Sequence, residues 1–223
     1  MKNKKREIII PGQHLGNIKN NKSGQGTFVE KGEIYSEVSG ILRQKAGYIN
    51  VVPLKGRYQP VEDDFIIGII EKNMSTCWLL DIKSSYPGLL HVSEVPWHVE
   101  FGETDKYLSK GDTISARISE VTPENKIDLT MDGPKLRKIK GGQIIEVEPT
   151  KIPRIIGKKG SMINLLKQHT KCKFFVGKNG RIWIQGKEEG IEKATKAINI
   201  IEKESISYGL TNKIKKLLEK NKL

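Results

Sequence analysis

Apolar and polar residues alternate along the first part of the chain, and glycines and prolines interrupt the alternation every few positions. The stretches "IIIPGQHLG", "KGEIYSEVSGIL" and "GYINVVPLKGRYQP" show this pattern. A period of two is typical of strands with one buried face, and Gly and Pro mark the turns between them. The pattern predicts a small N-terminal domain of short β-strands, which we place at residues 1–62.

Five apolar-rich runs follow between residues 63 and 133, separated by turn residues. They are "DFIIGIIEKN", "TCWLLDIK", "YPGLLHVSEV", "DTISARISEVT" and "KIDLTMDG". Five strands without a long helix favour a small five-stranded barrel of the OB type, whereas a sandwich would need about seven strands. The basic stretch "GPKLRKIKGG", at 133–142, is typical of a linker or a domain edge.

The periodicity changes between residues 134 and 205. "QIIEVEP" reads as a strand, "IPRIIG" and "SMINLLKQHTK" as helices, and "KFFVG" and "RIWIQG" as strands joined by an asparagine–glycine turn. A last amphipathic helix has apolar residues at helical spacing: Ile191, Ala194, Ile198 and Ile201. The predicted order is βααββα, so the whole chain is a multidomain protein of mainly β plus α+β class.

Residues 206–223 form a basic C-terminal tail in this interpretation. Its last part, "TNKIKKLLEKNKL", has the composition of a short amphipathic helix. A solvated or frayed terminus is the interpretation that we favour.

Charge is distributed unevenly along the chain. Residues 134–223 carry 22 Lys and Arg against 8 Asp and Glu, a net charge of +14. Residues 63–133 carry 6 against 13, a net charge of −7, and residues 1–62 carry 11 against 5, a net charge of +6. This asymmetry indicates modules with different partners and a C-terminal part that faces a polyanion. A solvated Lys-rich surface is the alternative.

The composition argues against several classes of protein. No run of 18 or more apolar residues occurs, and the N-terminus has too few apolar residues for a signal peptide, so we expect no membrane partner. Cys77 and Cys172 form neither a metal pair nor a disulfide framework, which indicates a reducing, cytoplasmic location. The histidines lack metal-ligand spacing, and we expect no metal and no cofactor; they are His14, His91, His98 and His169.

The sequence also predicts a protein that is not an enzyme, with no catalytic residue. Asp63 and Asp64 are adjacent carboxylates, but neighbours on a strand point to opposite faces and do not easily share one metal. We interpret them as turn or strand-start residues. No set of nucleophile, base and orienting group is visible by spacing.

The loop "GKKG", residues 157–160, joins the two short helices of the last domain. Glycines let a backbone approach closely and allow positive φ. The helix that begins at Ser161 adds unpaired amide hydrogens, and Lys158 and Lys159 add full charges, so a cradle for phosphates is predicted. A nucleotide-binding P-loop fails because the lysines precede the second glycine. A tight helix–helix turn with incidental lysines remains an alternative.

The stretch "IPRIIGKKGSMINLL" resembles the core of a KH domain of the type I order. The resemblance implies that the loop clamps the backbone of about four nucleotides of single-stranded RNA. The residues given to the backbone are Gly157, Lys158, Lys159 and Gly160. Those that would line one side of the groove for the bases are Arg154, Ile155 and Ile156.

Residues 63–133 resemble the S1-type RNA-binding OB barrel, through "IIGIIEKN", "CWLLDI", "GLLHVSEV" and "KIDLT". The resemblance implies that Trp78 stacks on a base, with His91 and Lys126 as further RNA contacts. Ser75 and Thr122 depart from the family pattern, which often has an aromatic residue and an acid there. Core packing of Trp78 and a structural role for His91 are alternatives.

The N-terminal stretches "IIIPGQHLG" and "GTFVEKGEIYSEVSG", followed by the barrel and the KH-like part, resemble the S1–KH cap subunits of the archaeal RNA exosome. This resemblance implies a non-catalytic subunit on a hexameric ring of RNase PH-type subunits. The cap would be a homotrimer, or a mixed cap with a related subunit. The N-terminal domain would dock on the ring, the barrels would surround the entry pore, and the KH domains would capture single-stranded RNA. Alternatives are a free-standing S1–KH transcription or translation regulator, and a hydrolase.

Overall fold

A computed structural model describes residues 7–205 and 209–220, and the chain divides into two compact units, Met1–Gly56 and Arg57–Leu223. Residues 57–62, which we had assigned to the first domain, belong to the second unit. There, Tyr58 packs into the barrel core and its hydroxyl donates a hydrogen bond to Asp64 at 2.8 Å. Within the described residues, no helix is long and apolar enough to cross a membrane.

The described part of the first unit is built from short strands, as predicted. They are β1 (Ile8–Ile9), β2 (His14–Asn17), β3 (Lys22–Ser23), β4 (Thr27–Glu30), β5 (Glu33–Ser36), β6 (Gly40–Lys45) and β7 (Tyr48–Pro53). One sheet has the order β1-β6-β7-β3 and the other β2-β5-β4. Alternate residues of these strands are buried and form a small core: Ile9, Ile34, Ile49 and Val51.

The second unit begins with the barrel, and the five predicted strands are confirmed. They are β8 (Phe65–Asn73), β9 (Cys77–Asp81), β10 (Gly88–His91), β11 (Thr113–Val121) and β12 (Ile127–Thr130), with the short helix α1 (Thr104–Tyr107) before β11. Antiparallel pairing runs from β10 through β9 and β8 to β11 and β12, and β12 returns to pair in parallel with β10. The sheet is therefore closed on itself, as an OB-type barrel requires.

The stretch that we interpreted as a linker or a domain edge is part of the barrel surface. Its strand β13 (Arg137–Lys138) pairs with β11, and Leu136 enters the barrel core. The buried Ser115 hydroxyl donates to the carbonyl of Lys135 at 3.0 Å and accepts from the amide of Arg137 at 2.9 Å. These bonds hold the connection in place because they occupy its backbone groups.

The predicted βααββα order is also confirmed. The elements are β14 (Gln143–Glu146), α2 (Ile152–Ile156), α3 (Ser161–Thr170), β15 (Lys173–Val176), β16 (Arg181–Gln185) and α4 (Glu188–Lys203). Their sheet has the antiparallel order β14-β16-β15, and the apolar faces of all three helices pack on a common core with it. Ala194, Ile198 and Ile201 of α4 are fully buried, as their spacing predicted.

A fifth helix, α5 (Leu210–Lys220), occupies most of the segment that we had interpreted as a basic tail. The preference for a solvated terminus was wrong. Leu210, Ile214 and Leu218 are buried in the same core as α2, α3 and α4. Their spacing of four residues places them on one face of the helix, so burial of that face holds the segment in place.

The turn between β15 and β16 attaches the KH-like part to the barrel. The side-chain amide of Asn179 is fully buried and donates to the carbonyls of Ile67 at 2.8 Å and Ile82 at 3.0 Å. Its oxygen accepts from the amide of Ile67 at 3.3 Å. All polar atoms of this side chain therefore bind barrel backbone, which is how a buried amide avoids an unsatisfied group.

Arg181, two residues after Asn179, adds charge to the same junction. Its guanidinium donates to the carbonyl of Asp81 at 2.7 Å, to the Asp81 carboxylate, and to the carboxylate of Glu146 at 2.9 Å. Burial alone would raise the pKa of both carboxyls, but the hydrogen bonds and charge of Arg181 outweigh it and hold each pKa below its usual value. Lys83 Nζ lies 3.1 Å from a Glu146 carboxylate oxygen and also lowers the pKa of Glu146.

Candidate nucleic-acid interface

The loop from Gly157 to Gly160 lies where the sequence placed it, between α2 and α3. Gly157 ends α2 with φ 76° and ψ 170°, Lys159 has φ 52°, and Gly160 precedes α3 with φ 77°. Three residues in the left-handed half of conformational space make an abrupt turn, and two of them are glycines because L side chains rarely adopt these angles.

Gly157 is restricted by packing as well as by conformation. A Cβ at this position would lie 2.7 Å from the amide nitrogen of Met162 and 2.8 Å from its Cβ. At Gly160 the nearest atom would be 3.7 Å away, on Asn164. The first glycine is therefore needed for space and for φ, and the second for φ alone.

The exposed face of the loop is positive. Lys158 and Lys159 are both exposed to solvent. Helix α3 begins at Ser161, and no side chain among the described residues caps its first amides. Its amide hydrogens and the positive end of its dipole therefore stand beside two full charges, an arrangement that suits an anion such as phosphate.

The three residues before the loop do not share one environment. Arg154 and Ile156 are partly buried, whereas Ile155 is fully buried in the core between the helices and the sheet. The prediction that Ile155 lines a groove for bases was wrong, since its side chain has no accessible surface. Helix periodicity explains the difference, because Ile152 and Ile155 are three positions apart and both face inward.

The prediction for Trp78 in the barrel was wrong. The indole is fully buried in the barrel core, and its Nε1 donates to the carbonyl of Leu108 at 3.1 Å. An indole with no accessible face cannot stack on a base. Core packing, the alternative role for this residue, is what the structure shows.

His91 and Lys126 are exposed, but they do not form one site. His91 Nδ1 lies 2.9 Å from Ser93 Oγ, and Lys126 makes an ion pair with Asp128 at 3.0 Å. In the pairing of β10 with β12, Gly88 faces Ile127 and Leu90 faces Leu129. His91 and Lys126 therefore lie near opposite ends of the pair, about 13 Å apart along the strands.

Asp63 and Asp64 lie directly before β8, the first strand of the barrel. Asp63 has φ 66° in a turn and accepts a hydrogen bond from Arg117 at 2.6 Å, while Asp64 accepts the Tyr58 hydroxyl. Burial and the Asp64 carboxylate raise the pKa of Tyr58. Within residues 7–205 and 209–220, no three His, Cys, Asp or Glu side chains converge where they could hold a metal ion.

Comparison with known proteins gives consistent matches along the chain. The family model described as the Exosome complex exonuclease RRP4 N-terminal region matches residues 8–45, and the KH domain model matches residues 142–200. A solved structure described as a "putative exosome complex RNA-binding protein" is 35% identical, covers 74% of this chain and 97% of its own, and superposes with a TM-score of 0.68.

Relatives match over nearly the whole length. The exosome complex component Rrp4 of Methanosarcina mazei is 45% identical, over 98% of this chain and 84% of its own. That of Picrophilus torridus is 39% identical, over 97% of this chain and 94% of its own. With this identity, and with the N-terminal and KH matches in the same order, the chain belongs to the Rrp4 family of exosome complex components.

Proposed function

We propose that this protein is a non-catalytic RNA-binding component of the exosome cap. It captures single-stranded RNA and guides it to a phosphorolytic ring for degradation or processing from the 3′ end. The observation that carries the proposal is the Gly157–Gly160 loop, with two exposed lysines above the N-terminus of α3. Membership of the Rrp4 family supplies the context of the complex.

The loop acts through its backbone and its charges. Phosphates approach the amides of the first turn of α3 because neither glycine carries a side chain that would hold them off. Lys158 and Lys159 neutralise phosphate charge and release counterions. Arg154 and Ile156, which retain some accessible surface, stand next to the loop and contact the bound strand.

The barrel contributes position more than charge in this proposal. Its net charge of −7, over residues 63–133, does not favour RNA along its whole surface. The buried bonds of Asn179 and Arg181 instead fix the direction in which the KH domain presents its loop. A rigid connection reduces the conformational entropy that is lost when the captured RNA is transferred from the KH domain to the ring.

The partners in the proposal are single-stranded RNA and a hexameric ring of RNase PH-type subunits. The N-terminal domain docks on the ring, and the cap is a homotrimer or a mixed cap with a related subunit. Cys77 and Cys172 are buried free thiols, which suits the reducing cytoplasm in which we place the protein.

The first experiment is a tagged pull-down from native cells, with the complex weighed intact and assayed on labelled RNA. We expect a large complex that shortens RNA from the 3′ end only when phosphate is present, and an inert purified chain. A small species that binds RNA without degrading it would instead indicate a free-standing regulator. RNA loss with the purified chain alone would show a hydrolase.

The loop is tested with K158D/K159D. Removal of each phosphate interaction should reduce the slope of log K against log salt by about 0.7, so the slope of the double variant should fall by about 1.4 for every RNA sequence. The matched control is K187D/K203D, which reverses two exposed lysines at the ends of α4. An unchanged slope in the loop variant, with its fold intact by circular dichroism, would make the loop a mere helix–helix turn.

A further inference from the structure

A second basic surface lies where the barrel meets the KH sheet. The strand β13, the edge strand β15 and β16 enclose a cavity of about 130 Å³. Three basic residues line it, Lys135, Arg137 and Lys173, together with the aromatic residues Phe174, Phe175 and Trp183. Its described lining includes no acidic side chain. The sequence interpretation missed this cluster, because the bases of "GPKLRKIK" indicated only a linker or a domain edge.

The basic residues of this cleft are available for a ligand. Lys135, Arg137 and Lys173 are exposed, and none of them forms an ion pair with a described residue. Elsewhere in the second unit, Lys126, Lys138 and Lys196 are each bound to a carboxylate. Three unpaired cations around one concave surface create a positive potential that attracts an anion.

Arg137 is held in a position that suits phosphate. Its guanidinium lies 5.4 Å from the ring centroid of Trp183, and its backbone is fixed by Ser115. Trp183 is itself anchored, because its Nε1 donates to the carbonyl of Gly141 at 2.8 Å. A stacked guanidinium keeps its donor fork open and loses little side-chain entropy on binding an oxyanion.

The aromatic residues supply a second kind of contact. Phe174 and Phe175 are both partly exposed on the edge strand β15, but Phe174 packs against the KH core and Phe175 against the barrel core. Phe175 is the cross-strand partner of Trp183. Ring surface beside unpaired cations matches a ligand that carries both flat bases and phosphates. An acidic protein segment would neutralise the cations but would leave the phenyl rings without a stacking partner.

We infer that this cleft is a second contact site for single-stranded RNA. The phosphates bind Lys135, Arg137 and Lys173, and a base packs against the accessible part of Phe175, which shares a face of β15 with Lys173. The site lies at the junction of the two modules, and strand β15 joins it to the KH domain that carries the Gly157–Gly160 loop. The inference rests on the proposed RNA-binding function, and it extends the path of the strand from the KH domain onto the barrel.

The inference is tested with the variant K135A/K173A of the full chain. Its affinity for an oligouridine of about twenty nucleotides is measured at several salt concentrations. Removal of two phosphate interactions should reduce the slope of log K against log salt by about 1.4. Both side chains are exposed, so the melting temperature should not change. The matched control K187A/K203A removes the same charge from α4 and should keep the wild-type slope.

The location of the RNA is tested separately in the wild-type chain. Photo-crosslinking with 4-thiouridine should label the tryptic peptide 174–178, which holds both phenylalanines, in addition to peptide 160–167 beside the loop. Label on the loop peptide alone, with an unchanged slope for K135A/K173A, would overturn the inference and leave the proposed function intact. If K158D/K159D also binds normally, both fail.

One further outcome would reassign the cleft. If K135A/K173A binds RNA like the wild type but associates more weakly with the subunits of the ring, the cleft receives an acidic protein surface. That result would also overturn the inference.

Discussion

At Gly157, both the backbone conformation and the packing require a glycine. Its φ of 76° lies outside the range that most residues adopt, and a Cβ would lie within 2.8 Å of Met162. Relief of that clash requires α3 to move, because the atoms in the way belong to its first turn. The loop geometry therefore depends on the absence of a single carbon atom.

We expect Gly157→Ala to destabilise the protein by about 1–3 kcal/mol and to weaken RNA binding as well. Gly160→Ala is the matched control, because φ is also positive there but the space is open. It should cost less than Gly157→Ala, about 1–2 kcal/mol, because only the strain of a left-handed L residue remains. Urea unfolding and RNA titration of both variants make the comparison, and equal effects would show that packing against Met162 does not matter.

Trp78 gives a prediction of the opposite kind. Because the indole is buried and bonded to Leu108, Trp78→Ala should cost about 3–5 kcal/mol of stability. RNA affinity of the remaining folded protein should not change. Chemical unfolding followed by RNA titration below the unfolding transition would measure both quantities. A loss of affinity with stability preserved would restore the stacking role.

The difference between these two residues shows what a sequence can reveal at this scale. Gly157 carries local information, since its role depends on residues within five positions. Trp78 could face either way, because β9 buries both Cys77 and Trp78 and so does not alternate strictly. Asn179 bonds to Ile67, 112 positions earlier, and no local pattern contains that partner.

At the scale of elements, α5 changes the account of the C-terminus. Leu210, Ile214 and Leu218 make an apolar face that the sequence displayed at four-residue spacing. We favoured a solvated tail because the residues between them are largely basic. A charged outer face and a buried inner face are the ordinary features of a helix packed on a domain, so the spacing was the better guide.

We expect Ile214→Ala to lower the free energy of unfolding by about 2–5 kcal/mol, because the side chain is fully buried in the core shared with α3 and α4. Lys215→Ala, at the next position on the exposed face, should change it by less than about 0.5 kcal/mol. Thermal or urea unfolding measures both. Equal stability of the two variants would mean that α5 does not pack on the domain in solution.

Regular elements were predicted more completely than the contacts between them. Five barrel strands and the βααββα order follow from periods of two and of 3.6 residues, which are local. The segment around Arg137 was interpreted as a linker or a domain edge, because proline, glycine and lysine are common in both, and the local pattern did not show that it forms a strand. Its pairing with β11 depends on the buried hydroxyl of Ser115, which lies 22 positions away.

At the scale of the whole molecule, the ionic junction of barrel and KH domain gives a dependence on pH. The pKa values of Asp81 and Glu146 are held below their usual range in the folded protein. As the pH falls, these two carboxylates are therefore protonated in the unfolded chain before they are protonated in the folded protein. The stability that they contribute at neutral pH is lost below about pH 4.5. Arg181 and Lys83 are the positive groups that face these carboxylates.

We expect Arg181→Met to be less stable than the wild type at pH 7 and to lose less stability on acidification, because Asp81 and Glu146 then keep pKa values nearer their usual ones. Urea unfolding at several values of pH between 7 and 3 measures the difference. Lys126→Met, which breaks an exposed pair with Asp128, is the control and should follow the wild-type curve closely. Parallel curves for Arg181→Met and the wild type would contradict the prediction.

The buried turn between β15 and β16 has a further consequence, for how this chain can vary in length. Hairpin turns usually accept additional residues, because they project into water. Here an insertion would withdraw Asn179 from the carbonyls of Ile67 and Ile82 and separate two modules at once. The exposed turn around Gly32, where an added Cβ would meet nothing, carries no such constraint. We therefore expect a KH domain transplanted from a relative to keep its stability only when the barrel that receives its turn is transplanted with it.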